Sequence, residues 1–421
     1  IEKKLAVQAN QTDQGGYASL KRWLRSGSLV LGAAAALSMG SALSAWADGS
    51  NTSTPGLPGV PIYNLATSTT ALNTAGAGGC AQQYTGAINS LTDQANTTNT
   101  DSFLAQKISL STQAGGIGTD LAALIAEQVD WARTAGFDVV AAGKGTKYLP
   151  AYHASTPDTV WGHYGITPEA ARQGGMNPQM FNSFLDGTKS AIEMAAVANA
   201  TGLTPAADGL GFPPCGVDDL PRVLKPAAEG GRLEHKGQVE VVSSLERDGR
   251  PVFRDLRWGV YVVFEAPSDY VSRCFAEYGL VTDPSGRYAA LYKPFHLIGL
   301  ELGISVASAG LRHEPTGAPT DFRGDAAAVA KRDLASGDML DGEGGFTVWG
   351  RLMPATASLA VGALPIGLAH HVRLRQPVKA GQTVRWVDVA VDEASEAVRI
   401  RREMETAFDG RQPAAHRPAA E

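Results

Sequence analysis

One segment of this chain is apolar around almost its whole circumference when it is drawn as a helix. The segment spans 177–200, and Gly202 follows it as a helix stop. A helix that is apolar on nearly every side has to be buried, so the rest of the chain must fold around it. The sequence therefore predicts one long helix over 177–200 in the middle of a core.

The strongly polar side chains of this helix fall on one narrow stripe. They are spaced four, three and four residues apart, which places them on the same face of a continuous helix. The members are Asn182, Asp186, Lys189 and Glu193. An unpaired buried charge is costly, so the stripe must face a cleft or ion-pair partners. In a cleft, a desolvated lysine can stabilise a developing alkoxide or donate a proton, which makes the four candidate catalytic residues. The alternative is an internal ladder of ion pairs.

A second candidate site follows a predicted short strand over 137–142. Lys144 and Lys147 stand among glycines there, and loops at the carboxyl ends of strands are where α/β proteins bind ligands. The run lacks the spacing of a Walker A motif. Tyr148 and His153 come next, and both are of types that can contact a hydroxylated substrate or transfer protons. We predict substrate contacts from these four side chains, with a solvated loop as the alternative.

The first 118 residues differ from the rest in composition. A basic cluster at 21–25 precedes an Ala-rich apolar run, and a small-x-small site ends at residue 47. This pattern predicts a signal-peptide-like segment over 1–47. The segment 48–118 is rich in Ser, Thr, Asn and Gly and poor in large apolar side chains, so it is predicted to be largely irregular.

Regular hydrophobic patterning begins at about residue 119 and predicts an α+β chain with α/β character. We expect an α+β catalytic domain over 119–325, a small β domain over 326–392, and a terminal helix and tail over 393–421. The pattern predicts helices at 121–134 and 393–408, strands at 239–245, 251–257 and 260–265, a loop-rich stretch at 144–175, and short strands with glycine turns over 326–391. The apolar run 295–309 fits a helix or a buried strand equally well.

Charge and cysteine usage exclude several classes of protein. The chain carries 36 Lys and Arg against 42 Asp and Glu, with a net charge of -6 and no strong basic patch, which argues against a nucleic-acid partner. Its 3 cysteines are far apart and form no CxxC pair, so no disulfide framework or zinc site is indicated. His370 and His371 are neighbours on a predicted strand, where side chains point to opposite faces, so they suit a shared metal poorly.

A dinucleotide site would require a glycine fingerprint between a strand and a helix. Two glycine clusters, at 76–81 and 116–118, lack either the preceding strand or the third glycine. A Rossmann nucleotide domain is therefore not recognisable in this sequence.

Several longer runs resemble a known family. They are VDWAR at 129–133, GKGTKY at 143–148, GGMN at 174–177 and FNSFLDGTKSAIEM at 181–194. These runs resemble the catalytic domain of homoserine-dehydrogenase-like oxidoreductases of the 1-deoxy-D-xylulose 5-phosphate reductoisomerase-like type, over about 121–405. The runs at 328–340 and 377–384 resemble the beginning and the closing strand of a C-terminal SAF domain.

The resemblance implies NAD- or NADP-dependent reduction of a hydroxylated carbonyl compound, of sugar-phosphate or hydroxy-acid type, in one branch with a divalent cation. In the related homoserine dehydrogenases an Asp and a Lys three residues apart serve catalysis, and Asp186 and Lys189 match that spacing. Such enzymes carry an N-terminal Rossmann domain where this chain has residues 1–118. We therefore expect a chimeric chain that binds the nucleotide poorly by itself.

Two expectations about cellular role stay open. An enzyme of this kind is expected in the cytoplasm, with a small-molecule substrate, no stable membrane span, and homo-oligomer formation undecided. The signal-like N-terminus points instead to export. The alternative function is therefore an exported SAF-domain binding or assembly protein of the pilus or flagellar chaperone type.

Overall fold

The computed structural model describes residues 119–297 and 315–408, with 301, 304–305, 308 and 311 between them. The predicted signal-like segment, the 48–118 segment, most of the apolar run 295–309 and the tail after 408 lie outside the described residues. Phe295 and Leu297, at the start of that run, are 48% and 43% exposed.

The described helices and strands alternate without a simple repeat. The helices are α1 (Thr119–Thr134), α2 (Val160–Tyr164), α3 (Pro168–Gln173), α4 (Pro178–Leu185), α5 (Thr188–Thr201), α6 (Leu220–Val223), α7 (Asp269–Glu277), α8 (Ala355–Val361) and α9 (Glu396–Phe408). The strands are β1 (Asp138–Thr146), β2 (Gln238–Ser243), β3 (Val260–Glu265), β4 (Tyr288–Lys293), β5 (Gly324–Ala330), β6 (Met339–Asp341), β7 (Val348–Pro354), β8 (His370–Leu374) and β9 (Val389–Ala390). One-turn 3-10 helices lie at Pro150–Ala154, Ala227–Glu229, Ile366–Leu368 and Trp386–Asp388.

A mixed four-stranded sheet forms the first layer, in the order β2-β1-β3-β4. Strand β2 runs parallel to β1, whereas β3 is antiparallel to both β1 and β4. Alternate residues of the strands face opposite sides. One side packs against α1 and α5, and the other packs against α6 and its flanking loops.

The later strands form a β-rich region that shares the core of the first. Strands β5 and β7 pair antiparallel, and β6, β8 and β9 form a separate three-stranded sheet. One hydrophobic cluster runs from α1 through α5 into β5 and β7. The fold is therefore mixed α+β, as the sequence predicts, with short strands and glycine turns over 326–391. The assignment of this region to SAF stays a prediction.

The predicted long helix over 177–200 is wrong in one respect, because it is two helices. Helix α4 ends at Leu185 and α5 begins at Thr188. Gly187 between them has a φ of +93°, a conformation that strongly favours glycine. A Cβ at that position would also lie 3.1 Å from the His153 ring. Burial was predicted correctly, since all of α5 except Ala200 is buried.

The predicted loop over 143–148 is also wrong in part, because β1 continues to Thr146. Gly143 and Gly145 were predicted to be loop residues. Close backbone contacts beside β1 require glycine at both positions. A Cβ on Gly143 would lie 1.8 Å from the Glu240 carbonyl oxygen, and one on Gly145 would lie 1.9 Å from that of Leu256. Glycine inside a strand commonly marks such a close approach.

The predicted strand over 251–257 is wrong as well. Apart from isolated bridges at Pro251 and Asp255, this stretch is turn or irregular, and Arg254 has a φ of +50°. The stretch 144–175, expected to be loop-rich, contains the end of β1 and several short helices. The predicted strand at 260–265 is confirmed as β3, and the predicted helices at 121–134 and 393–408 are confirmed as α1 and α9 within three residues.

Candidate active site

Helix α5 carries two charged side chains into the centre of the molecule. Lys189 is 4% exposed and Glu193 is 1% exposed. The helix lies between the four-stranded sheet and the β5–β7 pair. Its first turn is fixed to β7, since the Gly350 N–H donates to Thr188 Oγ1 at 2.8 Å. These two charges are therefore held on a rigid element.

Two lysines share the carboxylate of Glu193. Lys189 Nζ lies 3.3 Å from Glu193 Oε1, and Lys144, from β1, forms a closer ion pair with Oε2. Burial alone would raise the pKa of Glu193, but the charges of Lys144, Lys189 and His296 outweigh it and lower that pKa to about 2. Glu193 is therefore ionised at neutral pH. The cluster holds two positive charges for one negative charge.

Lys189 keeps unused hydrogen-bonding capacity. An ammonium group can donate three hydrogen bonds. Within the described part of the chain, Lys189 Nζ makes none of acceptable geometry and has a single ion pair, to Glu193. A buried ammonium with so few partners is costly for folding, and such groups occur preferentially at functional sites. Lys189 is thus the strongest candidate for a chemical role.

Asp186 occupies the break between α4 and α5 and is fully buried. Its Oδ2 lies 2.8 Å from Lys331 Nζ, and its Oδ1 accepts a hydrogen bond from the Thr188 N–H at 2.9 Å. Lys331 also donates to the carbonyl oxygens of Ser155 and Gly345. Asp186 therefore binds the first N–H group of α5 and holds Lys331 at the end of β5. It is not paired with Lys189.

Asn182, on α4, is also fully buried, and its amide group joins two loops. Its Nδ2 donates to the carbonyl oxygens of Ser155 at 3.0 Å and Gly344 at 2.8 Å. Its Oδ1 accepts from Ser155 Oγ at 2.6 Å. All of these contacts are internal, so the geometry indicates that Asn182 positions the loops that contain Ser155 and Gly344. Of the predicted stripe, Lys189 and Glu193 form one ion pair, whereas Asp186 and Asn182 bind elsewhere.

Tyr148 and His153 form a second cluster. His153 Nδ1 lies 2.7 Å from the Asp186 carbonyl oxygen, and its Nε2 lies 3.0 Å from the Tyr148 hydroxyl. A carbonyl oxygen can only accept, so Nδ1 carries the proton and the hydroxyl donates to Nε2. This assignment agrees with the pKa of His153, which burial lowers despite the favourable Asp186 carbonyl.

Aromatic side chains surround this second cluster and form the wall of a cleft. His153 stacks on Trp349 and Tyr148 stacks on Phe212, each with ring centroids 3.9 Å apart. Among the other residues lining the cleft are Ala191, Asp208, Leu210 and Arg351. Ala191 is two residues from both Lys189 and Glu193, which puts it about 200° away from each around the helix. The cleft and the Lys189–Glu193 pair therefore lie on opposite sides of α5.

Lys144 and Lys147 do not act together as the sequence suggested. Lys144 is in the strand and pairs with Glu193. Lys147 donates to the His163 carbonyl oxygen at 2.5 Å, and its ammonium lies 5.5 Å from the centre of the Tyr164 ring. Burial, followed by the charge of Arg257, lowers the pKa of Lys147. Lys144 thus joins the Lys189 cluster and Lys147 faces α2.

Glu343, in the turn between β6 and β7, is a buried carboxylate that was not among the predicted site residues. Burial raises the pKa of Glu343 to about 7; the positive charge of Lys189 opposes this rise and the negative charge of Asp186 adds to it. The surrounding sequence, Asp-Gly-Glu-Gly-Gly, is typical of an exposed turn. No periodic pattern marks the residue, so only the tertiary structure reveals its position.

The described residues do not fit a divalent cation. They contain no group of three or more His, Cys, Asp or Glu side chains placed to share one ion. The carboxylates of Asp186 and Glu193 are each already paired with lysine. We therefore derive no step through a metal.

The fit to a dinucleotide is similarly poor in the described part of the chain. The Gly143–Gly145 run is closed by the backbone of its neighbours and cannot cradle a phosphate. The glycine clusters at 76–81 and 116–118 lie outside the described residues.

The geometry combines a buried lysine, a carboxylate held ionised beside it and a separate aromatic cleft, a combination found in enzyme active sites. A comparison with protein families agrees with it. Residues 120–302 match the family model described as the catalytic domain of oxidoreductase DRL. This match supports an oxidoreductase catalytic domain in the part of the chain that contains α5. No curated protein matches the chain.

Among the described residues, no helix combines the length and the apolar character needed to cross a bilayer.

Proposed function

We propose that this chain carries the catalytic part of an NAD(P)H-dependent oxidoreductase that reduces a hydroxylated carbonyl compound, of sugar-phosphate or hydroxy-acid type. The observation that carries the proposal is the Lys189 ammonium, which is buried, paired only with Glu193 and free of hydrogen bonds within the described residues. The match to an oxidoreductase catalytic domain supports the same class of reaction. It does not favour the alternative of an exported binding protein.

In the proposed reaction, a bound reduced nicotinamide would supply the hydride. Lys189 stabilises the negative charge that develops on the carbonyl oxygen and donates the proton that completes the alcohol. Glu193 and Lys144 fix the Lys189 side chain, because Glu193 is ionised and bound by both ammoniums. Positioned ammonium groups of this kind act strongly when water is excluded, since the local dielectric constant is low.

The aromatic cleft is a separate candidate binding site. His153 and Arg351 line it, and the guanidinium of Arg351 can pair with a phosphate or carboxylate, whereas Tyr148 hydrogen-bonds to His153 from beside the cleft. Because the cleft lies across α5 from Lys189, one small substrate cannot contact both. Tyr148 and His153 therefore have no part in the proton transfer, and their predicted substrate contacts stay predictions. Lys147 has no place in this scheme.

A nucleotide-binding domain is not recognisable in the sequence. We therefore propose that the chain alone binds NADPH or NADH weakly. We keep the cytoplasm as the proposed location, because nicotinamide nucleotides are cofactors of intracellular metabolism. The chimeric origin of residues 1–118 also stays a proposal.

The test is the oxidation of NADPH and NADH by the purified full chain. Nucleotide is supplied in large excess, so that weak binding does not limit turnover. A panel of sugar phosphates and hydroxylated keto acids is compared with simple ketones. Oxidation that depends on a hydroxylated carbonyl compound is the expected result. If no member of the panel accelerates oxidation above the rate without chain, the proposed function is wrong.

A further inference from the structure

The aromatic cleft has the size of a site for a small molecule. It lies between the start of α5, strand β7 and the cleft loop (208–212), which contribute Gly187, Trp349 and Phe212, among others. The space open to the centres of water-sized molecules is about 90 Å³. A water molecule needs about 10–15 Å³ of such space, so the cleft has room for a ligand of about six to nine non-hydrogen atoms.

The cleft loop is a fixed wall. Glu240 Oε1 accepts hydrogen bonds from the N–H groups of Gly211 at 3.0 Å and Phe212 at 3.2 Å. Gly209 approaches β7 so closely that a Cβ on it would lie 2.5 Å from the Leu352 carbonyl oxygen. The wall is therefore in place before a ligand binds, which lowers the cost of binding.

Arg351 lines the cleft and has hydrogen-bond donors to spare. A guanidinium carries five N–H groups. Among the described residues, Arg351 Nη2 donates to Thr383 Oγ1 at 3.3 Å and weakly to Met353 Sδ at 3.8 Å, and no ion pair engages the side chain. By contrast, Arg385 and Arg401 each bind a carboxylate. Arg351 therefore keeps donors for an anionic ligand.

The Arg351 side chain leaves β7 on the side of the cleft. Residues two apart in a strand face the same way, and the Trp349 ring stacks on His153 in the cleft with centroids 3.9 Å apart. A Cβ on Gly209 would lie 3.7 Å from Arg351 Cγ, so the stem of Arg351 runs beside the cleft loop. Both ring nitrogens of His153 are already hydrogen-bonded. Recognition of an anionic group therefore depends on Arg351.

The rest of the lining selects what accompanies the anionic group. Leu210, Phe212, Leu352 and Ala191 are apolar, and apolar surface favours an alkyl chain. The other charged residue of the cleft, Asp208, is exposed and has no ion pair in the described part of the chain. Since Asp208 repels negative charge, a ligand with one negative charge should bind better than a dianion.

We propose that the cleft binds a small monocarboxylate with an apolar chain. Its carboxylate pairs with the Arg351 guanidinium, whose planar fork of donors matches two carboxylate oxygens. Its chain lies against Trp349 and the apolar side chains of the cleft. Because α5 separates the cleft from Lys189, this ligand is a second molecule and not the compound reduced at Lys189. Its binding requires no oxidoreductase activity and is independent of the proposed function.

The test is a binding titration followed by fluorine NMR. Fluorotryptophan is incorporated into the full chain, and the Trp349 resonance is identified as the one missing in Trp349→Phe. Butyrate, which falls within the size range of the cleft, is added without nucleotide or carbonyl substrate. We expect a saturable shift of the Trp349 resonance with a Kd of about 1 mM or lower, and none at exposed Trp258. Inorganic phosphate and succinate, which can carry two negative charges, should bind at least about tenfold more weakly.

Four variants locate the ligand. Arg351→Met keeps the stem, removes the guanidinium and should weaken butyrate binding by about tenfold or more. Arg375→Met is the matched control, an exposed arginine outside the cleft, and should change nothing. Asp208→Asn removes the repelling charge and should tighten binding. Lys189→Met should leave the Kd unchanged, since Lys189 lies across α5. Thermal melting checks that each variant is folded before it is titrated.

A Trp349 resonance that shows no saturable shift, or a shift that a folded Arg351→Met leaves unchanged, would overturn the site. Phosphate bound as tightly as butyrate would overturn the monocarboxylate class, and loss of binding in Lys189→Met would overturn the separate location. If Arg351→Met does not fold, butanol replaces it as the test, because it has the chain of butyrate without the charge. Equal binding of the two would overturn the role of Arg351. A chain that binds butyrate as expected but oxidises no nucleotide contradicts the proposed function alone.

Discussion

Asp186 and Lys331 form an ion pair in the interior, with Oδ2 and Nζ 2.8 Å apart and neither side chain more than 2% exposed. The pair joins the break between α4 and α5 to the end of β5. It thereby links the helix that carries Lys189 to the β region that carries Glu343. Removing one partner of such a pair leaves an uncompensated buried charge.

Lys331→Met should therefore destabilise the fold by about 3–5 kcal/mol. The reason is that Asp186 loses its counter-ion, while Ser155 and Gly345 lose a hydrogen-bond donor. Denaturant unfolding of the full chain measures the effect. Lys379→Met is the matched control, since its pair with Asp333 is exposed, and it should leave the free energy of unfolding nearly unchanged.

A double variant separates charge from packing in this prediction. Asp186→Asn together with Lys331→Met removes both charges and should be less destabilised than Lys331→Met alone. The free energy of unfolding that the double variant loses is compared with the sum of the losses in Asp186→Asn and Lys331→Met. A loss equal to that sum would contradict a charge-based account of the pair.

Glu343→Gln should stabilise the chain at alkaline pH. In the unfolded chain a glutamate ionises at about 4.3, whereas burial raises the pKa of Glu343 in the fold to about 7. Between these values the folded state holds more protons, so the contribution of Glu343 to stability falls as pH rises and is lost above pH 7. The variant, which stays neutral, should gain up to about 3 kcal/mol over wild type at pH 8 and little at pH 5.

The comparison of wild type with Glu343→Gln by chemical unfolding at several pH values isolates this group. Burial also raises the pKa of Glu240 to about 7, but Glu240 is present in both proteins and cancels in the difference. Exposed Glu277→Gln serves as a control for glutamate removal in general. A stability difference that does not change between pH 5 and pH 8 would show that Glu343 stays ionised in the fold.

NADPH and NADH should bind the full chain weakly, with Kd values above about 100 µM. Among the described residues, no glycine-rich turn opens a helix in the way that a pyrophosphate requires, and the Gly143–Gly145 run is sealed within the sheet. Isothermal titration calorimetry of the purified chain measures this directly. Affinity in the low micromolar range would reveal a nucleotide site that the described elements do not show, with residues 116–119 as its first candidate.

The sequence predicted those features that depend on local pattern. An all-round apolar helix implied burial, and α5 is buried; alternation predicted β3 at its observed residues. The helix break at Gly187 was missed although its signals are local. Asp186-Gly187 is a turn dipeptide, Gly187 has a φ of +93°, and Asp186 Oδ1 accepts a hydrogen bond from the Thr188 N–H. The apolar periodicity that continues across residue 187 outweighed them in the prediction.

The candidate site was predictable in part for the same reason. Spacing along α5 correctly placed Lys189 and Glu193 on one face. Spacing across Gly187 wrongly joined them to Asp186 and Asn182, which bind Lys331 and Ser155 instead. Gly143 and Gly145 are of a type common in loops, but here they lie in β1 and allow close backbone contact with its neighbours. Glu343 could not be predicted, because a Gly-rich turn is indistinguishable from a surface turn until its docking partner is known.

Lys189 is the residue on which the whole account depends. Lys189→Met keeps most of the length of the side chain and removes the charge, so it separates chemistry from packing. Glu193 would keep Lys144 as its partner, which should preserve the fold. Thermal melting of the variant checks that expectation, and Lys379→Met provides a surface lysine control.

The most direct measurement is kcat/KM of the full chain for the best hydroxylated carbonyl substrate, with nucleotide in excess, for wild type, Lys189→Met and Lys379→Met. Loss of a positioned proton donor typically costs about 100-fold to 10,000-fold in rate. We expect a loss of that size in Lys189→Met and none in Lys379→Met. A folded Lys189→Met chain that retains the wild-type kcat/KM would contradict the assignment of Lys189 and the active site built around it.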